Sequence, residues 1–224
     1  STPTRIVNKS GLVGLYRFDG ETTSYVDSSG NGNTGVAVGG LNCAGDEGRF
    51  GDGCDFDGTN DLINLTNPAN FAFGDTDFSI SMWAKADNTP DTETSLLAKW
   101  DAIGNDERSY RIYHRNPAAA IGFAVSNDGN ANQDGVYAGG RNITLGQWYH
   151  VVATHDATNN LIAIYLNGIK NTSAHTGGVY AAGANVLVGA AAAPANSFWD
   201  GKMDDIAIYN RLLTDAEVQD AYLG

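Results

Sequence analysis

Apolar and polar residues alternate with a period of two along much of the chain. The pattern is clearest in FSISMWAKA, where Phe78, Ile80, Met82 and Ala84 fall on one side and Ser79, Ser81, Trp83 and Lys85 on the other. Such alternation predicts a β-strand with one buried face. Similar runs are LVGLYRFDG, with Leu12, Leu15 and Phe18 among its apolar residues, CDFDGTNDLINL around Phe56, SYRIYHR, IGFAVSNDG, WYHVVATHD, LIAIYLNGIK, NVLVGAA and GKMDDIAIYN. Gly- and Asn-rich turns divide them, and Asn167-Gly168 is a preferred two-residue hairpin turn. About ten short strands of this kind predict an all-β, two-sheet antiparallel sandwich. The pattern breaks once, in LLTDAEVQDAYLG, where Thr214 and Glu217 form a capping-box spacing and predict a short C-terminal helical turn. TPDTE and GNANQDG read as surface loops, not linkers, so a short N-terminal segment over 1–10 and one domain over 11–224 are expected.

Composition narrows the partners. The 224 residues carry a formal net charge of −13, which repels phosphate backbones and anionic lipid; neither nucleic acid nor a membrane surface is an expected partner. No run approaches the roughly 18 apolar residues of a membrane span. The opening STPTRIVNKS lacks a signal-peptide core, which suits a cytosolic chain or a trimmed mature fragment. Cys43 and Cys54 stand alone as cysteines in NCAGDEGRFGDGCDFDG, where a Gly-rich stretch lets the chain double back. A structural disulfide is favoured over two free buried thiols, and with it a secreted or cell-surface location.

GKMDDIAIYNRLLTDAEV, at the end of the chain, resembles the closing signature of laminin-G-like jelly rolls of the concanavalin A-like lectin/glucanase superfamily. LYRFDG, DSSGNGNTG, CDFDGTNDLINL, FSISMWAKA, LGQWYHVVATHD and IYLNGIK resemble its upstream blocks in the same order, from about residue 11 to 223. The resemblance implies a jelly roll of two curved antiparallel sheets, commonly on secreted or surface proteins. It also implies glycan binding or adhesion, with calcium in some members.

Fold does not fix function. Glucanases of the superfamily place two or three carboxylates at alternating spacing on one strand, so that they share a cleft. No Glu-x-Asp-x-x-Glu occurs here, and Asp204 and Asp205 are adjacent, which on a regular strand sends them to opposite faces. An enzyme is therefore not expected. Calcium takes six to eight oxygens, and DSSGNGN offers Asp27, Ser29, Asn31 and Asn33 at alternate positions. The same residues suit simple Asx turns, and both readings stand at this point. The resemblance adds a structural calcium held between an early segment and the last strand, where Asp19 or Asp57 would meet Asp205 or Asp204. Zinc is not expected: His150 and His155 lie an odd number of residues apart on one strand.

Sugar binding asks for aromatic faces and planar hydrogen-bonding groups in a concavity. Trp83 and Trp148 sit at strand positions where core packing is favoured, whereas Trp100 and Trp199 stand beside polar loops as candidate platforms. Arg111, Tyr113 and Arg115 share one face of SYRIYHR opposite Tyr110, Ile112 and His114. The apolar side belongs to the core, which leaves an exposed Arg/Tyr/Arg stripe suited to a carboxylate or sulfate on an acidic sugar. The plainer and favoured reading is that Arg108, Arg111 and Arg115 pair with the chain's own acids. A carbohydrate-binding module is the first expectation and a protein-adhesion module the second.

Overall fold

The computed structural model describes residues 8–20, 24–45, 48–102, 106–116, 120–130, 133–192 and 197–224. In chain order the first strands are β1 (Leu12–Tyr16), β2 (Ser24–Tyr25), β3 (Gly35–Val38), β4 (Cys54–Asp57) and β5 (Leu62–Leu65). Next come β6 (Phe78–Ala86), β7 (Glu93–Asp101), β8 (Glu107–Arg115), β9 (Ala120–Ser126) and β10 (Gln133–Tyr137). The last are β11 (Trp148–Asp156), β12 (Leu161–Leu166), β13 (Ile169–Ala174), β14 (Val186–Val188) and β15 (Asp200–Tyr209), followed by helix α1 (Asp215–Leu223). One sheet runs β1-β15-β6-β11-β12-β13, with β4 also on β15. The other runs β10-β9-β8-β7-β14-β5-β3-β2. The pairings are antiparallel, so the all-β sandwich with a C-terminal helix is the observed architecture.

The core forms where the two inner faces meet. Phe78, Ile80, Met82 and Ala84 of β6 enter it, as the alternation predicts, against Tyr110 and Ile112 of β8 and Phe123 of β9. Phe78 is its aromatic hub, with ring centroids 4.8 Å from Phe73, 5.0 Å from Tyr110 and 6.1 Å from Phe123. Offset and edge contacts of this kind add to the area buried.

The opposite face of the first sheet is roofed by the end of the chain. Thr214 caps α1 by accepting from the Glu217 backbone, and Glu217 reaches back to the Thr214 amide. Arg211 clamps the same carboxylate through two nitrogens, at 2.7 and 2.9 Å. Leu213 and Val218 then cover Leu12, Leu15, Val152, Tyr165 and Tyr209 in a second apolar cluster. Trp83 is buried on this outer face, with Tyr222 stacked at 6.0 Å and Phe50 edge-on at 5.7 Å. Trp148 remains half-buried beneath Lys85. The Asn167-Gly168 turn joins β12 to β13, both residues having positive φ (50° and 76°) as a mirror-image hairpin turn requires. A disulfide joins Cys43 to Cys54 beside β15.

Two buried histidines make the fold acid-sensitive. Burial pushes His150 and His114 down to about 4 from their ordinary value. The folded chain therefore keeps both rings neutral while the unfolded chain takes up protons below about pH 6.5. This stability is complete above that pH and is lost as pH falls toward 4, by up to roughly 3 kcal/mol per ring. Urea unfolding should show a lower midpoint at about pH 5 than at about pH 7, and a smaller drop in a His150→Phe variant. Equal midpoints would contradict the assignment.

Candidate functional site

Strand β8 places Arg111, Tyr113 and Arg115 on the outer face of the second sheet, with Tyr110 and Ile112 in the core, as the alternation predicts. The expectation that the whole stripe is exposed is corrected: Arg111 and Tyr113 are buried and only Arg115 reaches solvent. The reason is the size of their neighbours. Arg111 is flanked across the strands by Ala98 and Ala124, and Tyr113 by Ser95 and Gly122. These small residues let long side chains lie down along the sheet. A Cβ on Gly122 would stand 2.8 Å from the Tyr113 ring, so only glycine leaves that ring room.

Arg111 lies over two rings, 5.0 Å from Trp100 and 4.4 Å from Tyr113, and its guanidinium pairs with Glu93 at 2.9 Å. The Tyr113 hydroxyl donates to that of Tyr137 at 2.8 Å, and Arg115 donates to the same Tyr137 oxygen at 2.6 Å. Burial, and then the Tyr137 hydroxyl, push the Tyr113 phenol well up, so it stays neutral. Pairing with the chain's own acids is thus the arrangement adopted. Trp100 is buried and supports Arg111 from below instead of offering a free platform.

Trp199 is buried in the main core, edge-on to His114 at 5.9 Å. The expected loop platform is therefore a core residue, and the outward aromatic is its neighbour, the half-buried Phe198. Backbone pairing sets this direction. Trp199 donates to the Gly189 carbonyl and accepts from the Gly58 amide, so it already lies in an extended, paired stretch ahead of β15.

Phe198 lines a cleft of about 500 Å³ at one end of the sandwich. The TPDTE loop between β6 and β7 forms one wall with Thr89, Asp91 and Glu93; Asn88, Thr59 and Asp200 complete the polar lining. Glu93 joins cleft and stripe. It stands opposite Arg115 in the β7–β8 ladder, 3.9 Å from that guanidinium, while Arg111 holds its other oxygen. A second concavity of about 490 Å³ is lined by Asn31, Asn33, Asn70 and Asn210. Several of its amides are already spent, with Asn70 donating to Asn33 at 2.8 Å and Asn31 to the Leu12 carbonyl at 2.8 Å. The first cleft combines an aromatic face, carboxylates, an amide and hydroxyls, which is the set that reads sugar hydroxyls. Its residues went unnoticed in the sequence because TPDTE looks like any polar loop and Phe198 is overshadowed by Trp199.

The candidate calcium ligands on carboxylates do not gather into one group of three among the described residues. Asp27 is buried, and its oxygens accept the Leu15 and Ser29 amides (3.0 and 2.9 Å) and the Asn33 amide (3.0 Å). Burial opposes its charge, but the Ser29 side chain and these amides outweigh it and hold the carboxyl below its usual range. A carboxylate faced by three N–H groups is an Asx-turn anchor, not an open cation ligand. Asn31 donates to carbonyls of β1. Asp57 caps the Thr59 and Asn60 amides, Asp19 is exposed on the loop after β1, and Asp205 lies 3.8 Å from Arg17. Asp205 sits at a bulge in β15 with φ 49°, while its neighbour Asp204 is buried and accepts the Phe50 amide at 2.9 Å. Among the described residues no three His, Cys, Asp or Glu side chains are grouped to hold a metal ion.

A family model described as the concanavalin A-like lectin/glucanases superfamily matches residues 57–219. A comparison with curated protein sequences returns no match. Among solved structures, the binding domain of Paraclostridial Mosquitocidal Protein 1 is similar at TM-score 0.76 and 17% identity, over 96% of this chain and 52% of that one. Domain 4 of AbnA, an extracellular arabinanase from Geobacillus stearothermophilus, solved with arabinotriose, is similar at TM-score 0.69 and 20% identity, over 96% of this chain and 100% of that one. The botulinum neurotoxin serotype D ligand binding domain, solved with N-acetylneuraminic acid, is similar at TM-score 0.71 and 13% identity, over 96% and 51%. The chain thus spans about half the length of the toxin domains. At these identities the likeness shows the shared jelly roll.

The interior placement of Trp199 has a measurable consequence. Trp199→Ala should cost about 3–5 kcal/mol of unfolding free energy, as removal of a large core ring does. A loss below about 1 kcal/mol in urea titration would return Trp199 to the surface.

Proposed function

Because the chain belongs to the concanavalin A-like lectin/glucanases superfamily, we propose that it is a non-catalytic carbohydrate-binding module acting outside the cell. The observation that carries this reading is the cleft in which Phe198 lies beside Asn88, Thr89, Asp91, Glu93 and Asp200. A half-buried ring gives a face for sugar C–H groups, and the carboxylates accept from hydroxyls while the amide both donates and accepts. The cleft carries three carboxylates, and the two arginines near them are already engaged by Glu93. A neutral sugar fits that charge better than the acidic sugar that the arginine stripe alone suggests. The arabinotriose-bound and N-acetylneuraminic acid-bound similar structures are consistent with a glycan ligand in either class.

A binding role also accounts for Glu93, which is held in place by Arg111 and the Trp100 ring beneath that arginine. The Cys43–Cys54 disulfide supports an oxidising, extracytoplasmic setting. A protein-adhesion role is the second reading, favoured by the exposed valines Val36 and Val38 on β3 near the other edge of the same sheet.

An array of neutral and acidic oligosaccharides tests the choice. Binding to a neutral class is expected, reduced at least about tenfold by Phe198→Ala or Glu93→Gln in variants that keep the wild-type circular dichroism spectrum. A blank array with folded protein would overturn the glycan reading and favour adhesion. Binding unaffected by either substitution would overturn the cleft as its site.

A further inference from the structure

Two histidines far apart in sequence meet inside the fold. His155, near the end of β11, stands opposite Ile162 of β12, which in turn stands opposite Ser173 of β13. The chain leaves β13 after Ala174, and the His175 amide bonds the Asn160 carbonyl, turning the residue back over the sheet. The two Nε2 atoms come to 2.8 Å from one another, with both rings buried. Phe78 stacks on His155 at 5.3 Å and fixes the ring plane.

Hydrogen bonding sets the protons. The Thr76 carbonyl only accepts, so His155 Nδ1, 2.8 Å away, carries a proton. In the neutral ring the His155 Nε2 is then a bare acceptor, and His175 donates to it from its own Nε2. The remaining nitrogen, His175 Nδ1, is buried with no hydrogen-bond partner. Burial first, then the neighbouring His155, hold His175 below its ordinary value. Asp75 Oδ1 lies 3.9 Å from His155 Nε2 on the solvent side, and the fields of Asp75 and Asp134 both reach His175.

We propose that His155, His175 and Asp75 form a binding site for a divalent transition-metal ion such as zinc, independent of the glycan cleft. Zinc prefers imidazole nitrogen and carboxylate oxygen at 2.0–2.2 Å, which separates neighbouring ligands in a tetrahedron by roughly 3.3 Å. The histidine nitrogens need to part by about 0.5 Å, and the Asp75 carboxylate, on an exposed side chain, to close on His155 by about 0.6 Å. In the unbound arrangement these three are not yet at ligand spacing, in keeping with the absence of a ready-made three-ligand group among the described residues. The Nδ1–H of His155 on a backbone carbonyl is the outer support that metal-bound histidines commonly have. Zinc replaces the proton between the rings. His175 then carries its proton on Nδ1, in the field of Asp134 and Asp75, and water fills the fourth position. The ion would tie β11, the segment after β13 and the loop before β6 into one staple.

The test uses tag-free protein dialysed against chelator and titrated calorimetrically with zinc chloride, and separately with cobalt chloride. One ion per chain, a four-coordinate cobalt absorption band and a rise in melting temperature with zinc are expected. Asp75→Asn, an exposed change that leaves the fold intact, should weaken binding at least about tenfold, and His175→Gln more. No zinc binding to folded wild-type protein, or equal binding by both variants, would overturn the site.

Discussion

The inner faces of the two sheets can leave water only against each other, and that requirement assigns a side to nearly every residue named above. Phe78 shows how strictly. Its ring touches Phe73, Tyr110, Phe123 and His155, which arrive from the loop before β6, the opposite sheet and a neighbouring strand. Once these are packed, the period of two sends Ser79, Ser81 and Trp83 outward, where α1 and the segment before it must cover them. The capping box and the Arg211 clamp hold that cover in place. One outer face is thereby closed, and the other is left to the Arg/Tyr stripe.

The stripe looks like a binding surface in sequence and behaves as a support in the structure. Small cross-strand neighbours let Arg111 and Tyr113 lie flat, Trp100 packs beneath, and the Arg111 charge is spent on Glu93. An arginine desolvated on aromatic rings and paired at 2.9 Å positions the carboxylate more firmly than an exposed pair would. The consequence is a rigid Glu93 at the mouth of the cleft. Preorganisation of this kind lowers the cost of ordering a site when ligand binds.

Strand patterning was legible wherever one face is buried and the other is not: β6, β8, the Asn167-Gly168 hairpin and the Thr214 cap follow from local rules. The disulfide was legible from Cys43 and Cys54 and a flexible spacer. Three features depend on long-range pairing and were not. Trp199 belongs to the core because its backbone pairs with Gly189 and Gly58, which nothing near NSFWDG announces. Asp27 is held by the Leu15 amide of β1 as well as by the local Ser29 and Asn33 amides, and the β1 contact is one that the alternating run of oxygens does not announce. His155 and His175 meet through two hairpins, whereas spacing along a single strand argued against any histidine site.

The central claim is that ligand enters the cleft between the TPDTE loop and Phe198. The most direct measurement is amide chemical-shift mapping of labelled protein titrated with a neutral oligosaccharide that binds it. Saturable shifts concentrated at Asn88–Thr94, Thr59 and Phe198–Asp200 are predicted, with the amides of α1 unmoved. Shifts clustered at Asn31, Asn33 and Asn70, or on the Val36–Val38 edge, with the cleft silent, would contradict the account.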